Sequence, residues 1–175
     1  MANVYANPKT NTLYFHSEVD SQSISEAIVL FDELKSSSNR PIHFYINSFG
    51  GSVPDMWALI HTIETSPVPV YTYCTGYAYS AAFIIFISGT RRYIGPNAEL
   101  MCHSPSWGTY GKSQEMYEAT MKIVRINKQI ESYVLRHTKI RPTKLDEVRE
   151  HKLDWYITPD EAITYGCADE IMKGV

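Results

Sequence analysis

Short segments with strand character alternate with amphipathic helical segments along this chain, and that alternation constrains the fold most. Thr12–Phe15 and Pro41–Ile46 are short and rich in apolar and aromatic residues, as buried strands are. Between them, the apolar residues of Ser23–Leu34 recur at helical spacing. Such alternation predicts an α/β fold with a largely parallel sheet. The pattern continues with a helix over Asp55–Ile63, a strand over Pro67–Cys74, a helix from Tyr79 to about Ser88, and strands over Arg92–Ile94 and Glu99–His103.

A long helix is predicted over Ser113–His137, where apolar residues keep helical spacing for roughly seven turns. This length exceeds what one small domain needs as cover, so we expect part of the helix to project and pack against another subunit. Pro142 is expected to end it, because proline interrupts a helix interior. A last short helix is expected over Pro159–Tyr165.

Size and charge exclude several classes of protein. The length of 175 residues fits one domain, and we expect residues 1–175 to form it. Hydrophobic residues make up 44% and charged residues 20% of the chain, which is typical of a globular protein. The net charge of −3, with scattered lysines and arginines, argues against a nucleic-acid partner. The longest nonpolar run, Ala78–Ile87, is too short to cross a bilayer, so no membrane association is expected.

The first residues and the cysteines bear on location and cofactors. Met1–Asn7 has neither the basic start nor the apolar stretch of a secretory signal, so we expect a cytoplasmic protein. Cys74, Cys102 and Cys167 form no even set and no Cys-x-x-Cys pair, so we expect buried free thiols. Neither a metal nor a cofactor is expected.

Two turns rich in small residues, Asn47–Ser52 and Gly76–Ala82, follow predicted strands. In a parallel sheet the carboxyl ends of the strands form the edge where ligands bind. Gly50 and Gly51 let the backbone approach a substrate carbonyl, and backbone N–H groups placed there can form an oxyanion hole. Ser80 is predicted where strand becomes helix, with its hydroxyl directed into a cleft. Such a serine is a nucleophile only beside a histidine base that a carboxylate orients.

Four sequence blocks resemble, in order and spacing, the signature blocks of ClpP, the proteolytic subunit of the Clp serine proteases. They are Ile46–Val53, Gly76–Ala82, Met101–Pro105 and Asp154–Ala162, and with the long helix they cover the chain from about Leu13 to Met172. The resemblance implies a ClpP/crotonase-like spiral of β-β-α units with a protruding handle helix. It implies a head of residues about 1–111 and 139–175, and a handle over about 112–138.

The resemblance also implies roles for individual residues. Ser80 would be the nucleophile, His103 the general base and Asp154 the carboxylate that orients the histidine. The N–H groups of Gly50 and Ala81 would form the oxyanion hole. The segment from Pro105 to Lys112 would lie beside an extended substrate, and the expected substrate contacts are Gly51, Ser106, Trp107 and Gly108.

The activity implied by the resemblance is that of a serine endopeptidase. Its core would hydrolyse peptides or unfolded proteins through an acyl-enzyme without ATP, inside the chamber of a homo-oligomeric heptamer or tetradecamer. Family members receive long substrates from an AAA+ unfoldase driven by ATP, so such a partner is possible here.

The chain departs from the family pattern in several places. Phe49 stands where the family has proline and Ala81–Ala82 where it has Met-Gly, so we expect a slightly looser turn and a different substrate preference. Lys152–Leu153 replaces the acidic residue and arginine that couple the two rings, so we expect that contact to differ. About 12 residues precede the first predicted strand, where family members carry more, so the chain resembles an atypical member with a short N-terminus.

Other interpretations of the same residues remain open. A catalytically silent ring subunit of a Clp-type complex fits the altered Lys152–Leu153 pair and the short N-terminus. A crotonase-like acyl-CoA enzyme shares the architecture and the oxyanion hole, although a complete Ser, His and Asp set argues against it. Cys102 as nucleophile is disfavoured, because neighbours on a strand point to opposite faces. Gly50–Gly51 is followed by no Gly-Lys-Ser/Thr, so a phosphate loop is not supported.

Overall fold

The computed structural model describes residues 3–104 and 112–173, which form a mixed α/β fold around one sheet. In this part of the chain, no helix is both long and apolar enough to span a membrane. The strands are β1 Val4–Asn7, β2 Thr12–Phe15, β3 Ile42–Ser48, β4 Val70–Tyr79, β5 Arg91–Ile94, β6 Glu99–Cys102, β7 Trp155–Ile157 and β8 Glu170–Ile171. The helices are α1 Ser21–Ser37, α2 Val53–Glu64, α3 Ala81–Ile87, α4 Ser113–His137, α5 Pro142–Glu150 and α6 Pro159–Thr164.

The sheet is parallel in its centre, as the alternation of strands and helices predicts. In the order β1-β2-β3-β4-β5-β8, the strands from β2 to β8 are parallel and the edge strand β1 is antiparallel to β2. Strand β4 changes partners along its length: residues 71–74 pair with β5, and residues 77–79 pair with β6. β6 also pairs with β7 in antiparallel fashion. The carboxyl ends of β4 and β6 therefore lie side by side.

The first strand and the region around Pro142 differ from the sequence prediction. The first strand is Val4–Asn7, so the expectation that about 12 residues precede the first strand is wrong. This strand is short and only Val4 is buried, which leaves no clear alternation to detect. Pro142 does not end the long helix, which stops at His137; it opens α5 instead. Proline suits the first helical turn, because the N–H that it lacks would have no partner there.

The core lies mainly between the sheet and helices α1, α2 and α3. Strand β3 alternates buried and half-buried side chains, and every residue of Ala81–Ile87 in α3 is buried. Full burial of one large apolar side chain stabilises a fold by about 1.5–3 kcal/mol, so α3 is firmly anchored. Helix α4 packs only through its second half, by Ile130, Tyr133 and Val134, and no side chain of Ser113–Arg125 is buried.

Candidate active site

Ser80 lies in a constrained turn between β4 and α3. Its φ angle is +54°, in the left-handed region that is costly for a residue with a side chain. Its N–H donates to the Met101 carbonyl at 2.9 Å, which ties the turn to β6. The serine hydroxyl makes no capping hydrogen bond to α3, so it is not an ordinary N-cap and remains available to other groups.

Ser80, His103 and Asp154 form a continuous hydrogen-bonded chain. His103 Nε2 is 2.7 Å from Ser80 Oγ, and His103 Nδ1 is 3.2 Å from Asp154 Oδ1. A carboxylate can only accept, so Nδ1–H donates to Asp154 and Nε2 is left to accept the proton of the Ser80 hydroxyl. This tautomer is the one a general base needs.

The carboxylate end of this chain is open to solvent. The Asp154 side chain is 56% exposed, whereas the His103 side chain is 26% exposed. Just before it, Lys152 has a φ angle of +51° and Leu153 is an exposed large apolar residue. The segment that delivers Asp154 is thus a surface turn between α5 and β7. Water screens the interaction of Asp154 with the imidazole more than it would in a buried site.

The turn at Gly50 and Gly51 approaches the serine closely. A Cβ atom on Gly50 would lie 2.6 Å from the Tyr79 carbonyl oxygen and 2.8 Å from the Ala81 nitrogen. Gly50 and Gly51 have φ angles of +94° and +143°, so both positions require glycine. Val19 holds the turn from the other side, because its N–H donates to the Gly50 carbonyl at 2.8 Å and its carbonyl accepts from the Ser52 N–H at 2.7 Å.

The backbone N–H groups of this turn have different surroundings. The Gly50 N–H, expected in the oxyanion hole, donates to the buried Ser48 Oγ at 3.1 Å. Gly51 lines the cavity beside Ser80, and its N–H has no acceptor among the described residues. Ala81, at the first turn of α3, lines the same cavity. Which N–H group of a turn already has an acceptor depends on φ and ψ, and sequence pattern does not specify it.

A cavity of ≈ 470 Å³ opens beside the serine. Its walls are mainly apolar and come from α2, α3, α4 and β6. Cys102 lines it next to His103, but burial raises the pKa of the thiol to about 12, which disfavours the thiolate that a cysteine nucleophile requires. The lining residues are Gly51, Ser52, Val53, Pro54, Met56, Ser80, Ala81, Phe83, Ile84, Cys102, His103 and Ile130.

The other expected site residues have different outcomes. Ser106, Trp107 and Gly108 lie outside the described residues. Ser48 was missed by sequence reasoning, and its position two residues before Gly50 in a turn is the signal that a side chain holds the local backbone. Within residues 3–104 and 112–173, no group of three or more His, Cys, Asp or Glu side chains is placed to hold a metal ion.

Fold and site together define a class of α/β proteins with a serine, histidine and aspartate in hydrogen-bonding contact at the carboxyl edge of a mainly parallel sheet. The model of the Clp protease family matches residues 3–175. The chain belongs to the Clp protease family, which is a family of proteases.

Three relatives illustrate the similarity. The ATP-dependent Clp protease proteolytic subunit 1 of Bifidobacterium longum is 32% identical over 165 residues, which are 92% of this chain and 70% of that protein. The protein of the same description from Thermobifida fusca is 31% identical over 89% of this chain and 71% of its own length. The ATP-dependent Clp protease proteolytic subunit of Porphyromonas gingivalis is 30% identical over 77% of this chain and 60% of its own length.

Proposed function

We propose that this chain is a serine endopeptidase that cleaves peptides and unfolded proteins, with Ser80 as nucleophile. The contact that carries the proposal is the 2.7 Å distance between Ser80 Oγ and His103 Nε2. The Ser80 hydroxyl makes no capping hydrogen bond to α3 that would compete with this contact. A hydroxyl at this distance from an unprotonated ring nitrogen can lose its proton as it attacks.

The reaction follows from the orientation of the three side chains. Ser80 Oγ attacks the substrate carbonyl carbon while its proton moves to His103 Nε2, and Asp154 stabilises the imidazolium that forms. His103 then gives this proton to the departing amine as the C–N bond breaks, which leaves an ester on Ser80. A water molecule, deprotonated by the same nitrogen, hydrolyses the ester and restores the serine.

We assign the oxyanion hole to the N–H groups of Gly51 and Ala81. The sequence interpretation named Gly50 and Ala81, but the Gly50 N–H already donates to Ser48 Oγ. Gly51 and Ala81 both line the cavity next to Ser80, and their N–H groups have no acceptor among residues 3–104 and 112–173. Two such donors stabilise a developing oxyanion by about 3–4 kcal/mol each when preorganised.

The apolar cavity beside Ser80 supports a preference for substrates with an apolar side chain before the cleaved bond. Val53, Met56, Phe83, Ile84 and Ile130 give it apolar walls. An extended substrate would also contact Gly51, Ser106, Trp107 and Gly108, as the family resemblance implies. The walls of the cavity and this extended pairing act on substrate binding rather than on the chemical step.

We propose that the chain works as a ring oligomer, with residues 112–138 as a handle between two rings and the remaining residues as the head. Large apolar side chains are exposed on the first half of α4: Met116, Tyr117, Met121 and Val124. Glu115 precedes this stretch and Glu118 lies near its start, whereas Arg125 and Lys128 follow it, so an antiparallel pair of α4 helices would place opposite charges together. Long substrates would require an ATP-driven unfoldase, which agrees with relatives that are named as subunits of an ATP-dependent protease.

A direct test compares fluorogenic peptides that differ before the cleaved bond. The wild-type protein should release the fluorophore from a short peptide with leucine or methionine there, without ATP, and Ser80→Ala should lose at least about a thousandfold in kcat. Ser88→Ala is the matched control, because this buried serine donates to the Ile85 carbonyl at the other end of α3. Equal turnover by wild type and Ser80→Ala would contradict the assignment, and a ring without turnover would favour the catalytically silent subunit.

A further inference from the structure

Four aromatic side chains link the segments that carry the candidate catalytic residues. They lie on the face of the sheet opposite the one on which Ala78 is buried. Phe49 comes from the glycine turn, Tyr77 and Tyr79 from the end of β4, and Tyr156 from β7. We call these four residues the aromatic cluster. The mechanism described above uses none of them.

The closest ring contact in the aromatic cluster joins the glycine turn to β4. The Phe49 ring stacks on Tyr77 with 4.3 Å between ring centroids and 27° between planes, and it also lies 5.7 Å from the ring of Tyr79. Phe49 is 67% exposed, so much of its ring faces away from the protein and little other packing supports it. The Tyr77 N–H also donates to Asn47 Oδ1 at 3.0 Å, so the turn is tied to the same residue by backbone and by ring.

The contacts continue from Tyr77 to the segments that carry the base and the carboxylate. Tyr79 lies 5.4 Å from Tyr77 and 5.7 Å, edge to face, from Tyr156, which stands two residues after Asp154. The Tyr79 hydroxyl donates to Glu99 Oε1 at 2.5 Å, and Glu99 begins the strand that leads to His103. The aromatic cluster thus touches the oxyanion turn, the strand before Ser80 and the strand after Asp154.

We propose that Phe49 and Tyr77 are positioning residues that hold the Gly50–Gly51 turn at the nucleophile through their stacked rings. This inference rests on the proposed serine mechanism. The turn has no proline and both glycines have unrestricted φ, so its backbone is intrinsically free. The stacked rings restrict it from the solvent side, while Val19 restricts it from the protein side. The Gly51 N–H is thereby kept where an oxyanion would develop.

The size of the effect follows from the strength of the ring contact. An aromatic pair of this geometry contributes about 0.5–1.5 kcal/mol beyond burial. Loss of that preorganisation corresponds to a two- to about twelvefold slower acylation, since about 1.4 kcal/mol is a factor of ten. Because neither ring lines the cavity beside Ser80, the affinity for a small substrate should not change.

The test measures covalent labelling of the protein by a fluorophosphonate, with the maximal rate and the half-saturating concentration determined separately. Phe49→Ala and Tyr77→Ala should each lower the maximal rate two- to about twelvefold, with unchanged half-saturation. The double variant should be no slower than the slower single variant, because either change removes the same contact. Phe49→Tyr and Tyr77→Phe keep both rings and should label within twofold of wild type.

Tyr5→Ala is the matched control. Tyr5 is also an exposed ring, 49% accessible and stacked at 4.8 Å on Tyr14, but it lies on β1. It should leave the labelling rate unchanged, and native mass shows whether each variant keeps its assembly. Phe49→Ala labelled at the wild-type rate, or a double variant as slow as the product of the single effects, would overturn the inference. No labelling of the wild-type protein would instead refute the serine mechanism itself.

Discussion

Replacing Asp154 by asparagine tests how a solvent-exposed carboxylate supports its histidine. At 3.2 Å, the distance from His103 Nδ1 to Asp154 Oδ1, two unit charges interact by about 1.3 kcal/mol in water and about 5 kcal/mol at an effective dielectric constant of about 20. These limits correspond to a loss in kcat of about tenfold and several thousandfold. Because the aspartate side chain is 56% exposed, we expect a loss near one hundredfold.

Geometry supports this intermediate value. In a buried triad, asparagine fixes the wrong tautomer and lowers kcat by about ten thousandfold. An exposed amide can rotate and present its oxygen to Nδ1–H of His103, so only the charge is lost. The assay is peptide hydrolysis by Asp154→Asn beside Asp160→Asn, which removes a nearby exposed carboxylate on α6 and should keep wild-type kcat. A loss of ten thousandfold or more, or no loss, would refute the argument from exposure.

Three further predictions concern the turn, the pH dependence of stability and the handle. Gly51→Ala should lower the free energy of unfolding by about 1–3 kcal/mol, measured by urea titration, and should slow labelling by the fluorophosphonate more than tenfold. A Cβ there would lie 2.3 Å from the Val19 carbonyl oxygen, at a φ of +143°. Burial lowers the pKa of His137 below its usual 6.5. The unfolded chain therefore binds this proton more readily than the folded chain, so the free energy of unfolding should fall as pH drops below about 6.5. The fall should be smaller in His137→Gln. Urea titrations of both proteins at pH 7.5 and 5.5 measure the difference. Met121→Glu should halve the native mass of a double ring. Val29→Glu, at an equally exposed site on α1, should leave the mass unchanged. An unchanged mass of Met121→Glu would contradict the handle contact.

The long helix shows what sequence could establish about the fold. Its predicted limits, Ser113 and His137, are those of the structure, because a sustained helical period over many turns leaves little ambiguity. The sequence predicts this strand over Pro67–Cys74, yet strand β4 runs on to Tyr79. Glycine usually weakens a strand, but here β4 continues because its second part finds a new partner in β6. Pairing with a distant strand cannot be seen in local pattern.

Some features of the candidate site could likewise be predicted from the sequence, and others could not. Ser80, His103 and Asp154 could be named before the structure, because each lies in a sequence block resembling those of one family. The choice between Gly50 and Gly51 as a donor of the proposed oxyanion hole could not be made from the sequence. It depends on which N–H group donates to the Ser48 hydroxyl. The stacking of Phe49 on Tyr77 also escaped prediction, because it joins the ends of two strands that only the sheet brings together.

Covalent labelling shows directly whether Ser80 is the nucleophile. The protein is incubated with a fluorophosphonate, digested, and the modified residue is identified by mass spectrometry, with Ser80→Ala as the parallel sample. We expect one modification, on Ser80, that is absent from Ser80→Ala and at least tenfold slower in His103→Ala. Modification of another residue, or none on Ser80 in the assembled protein, would contradict it.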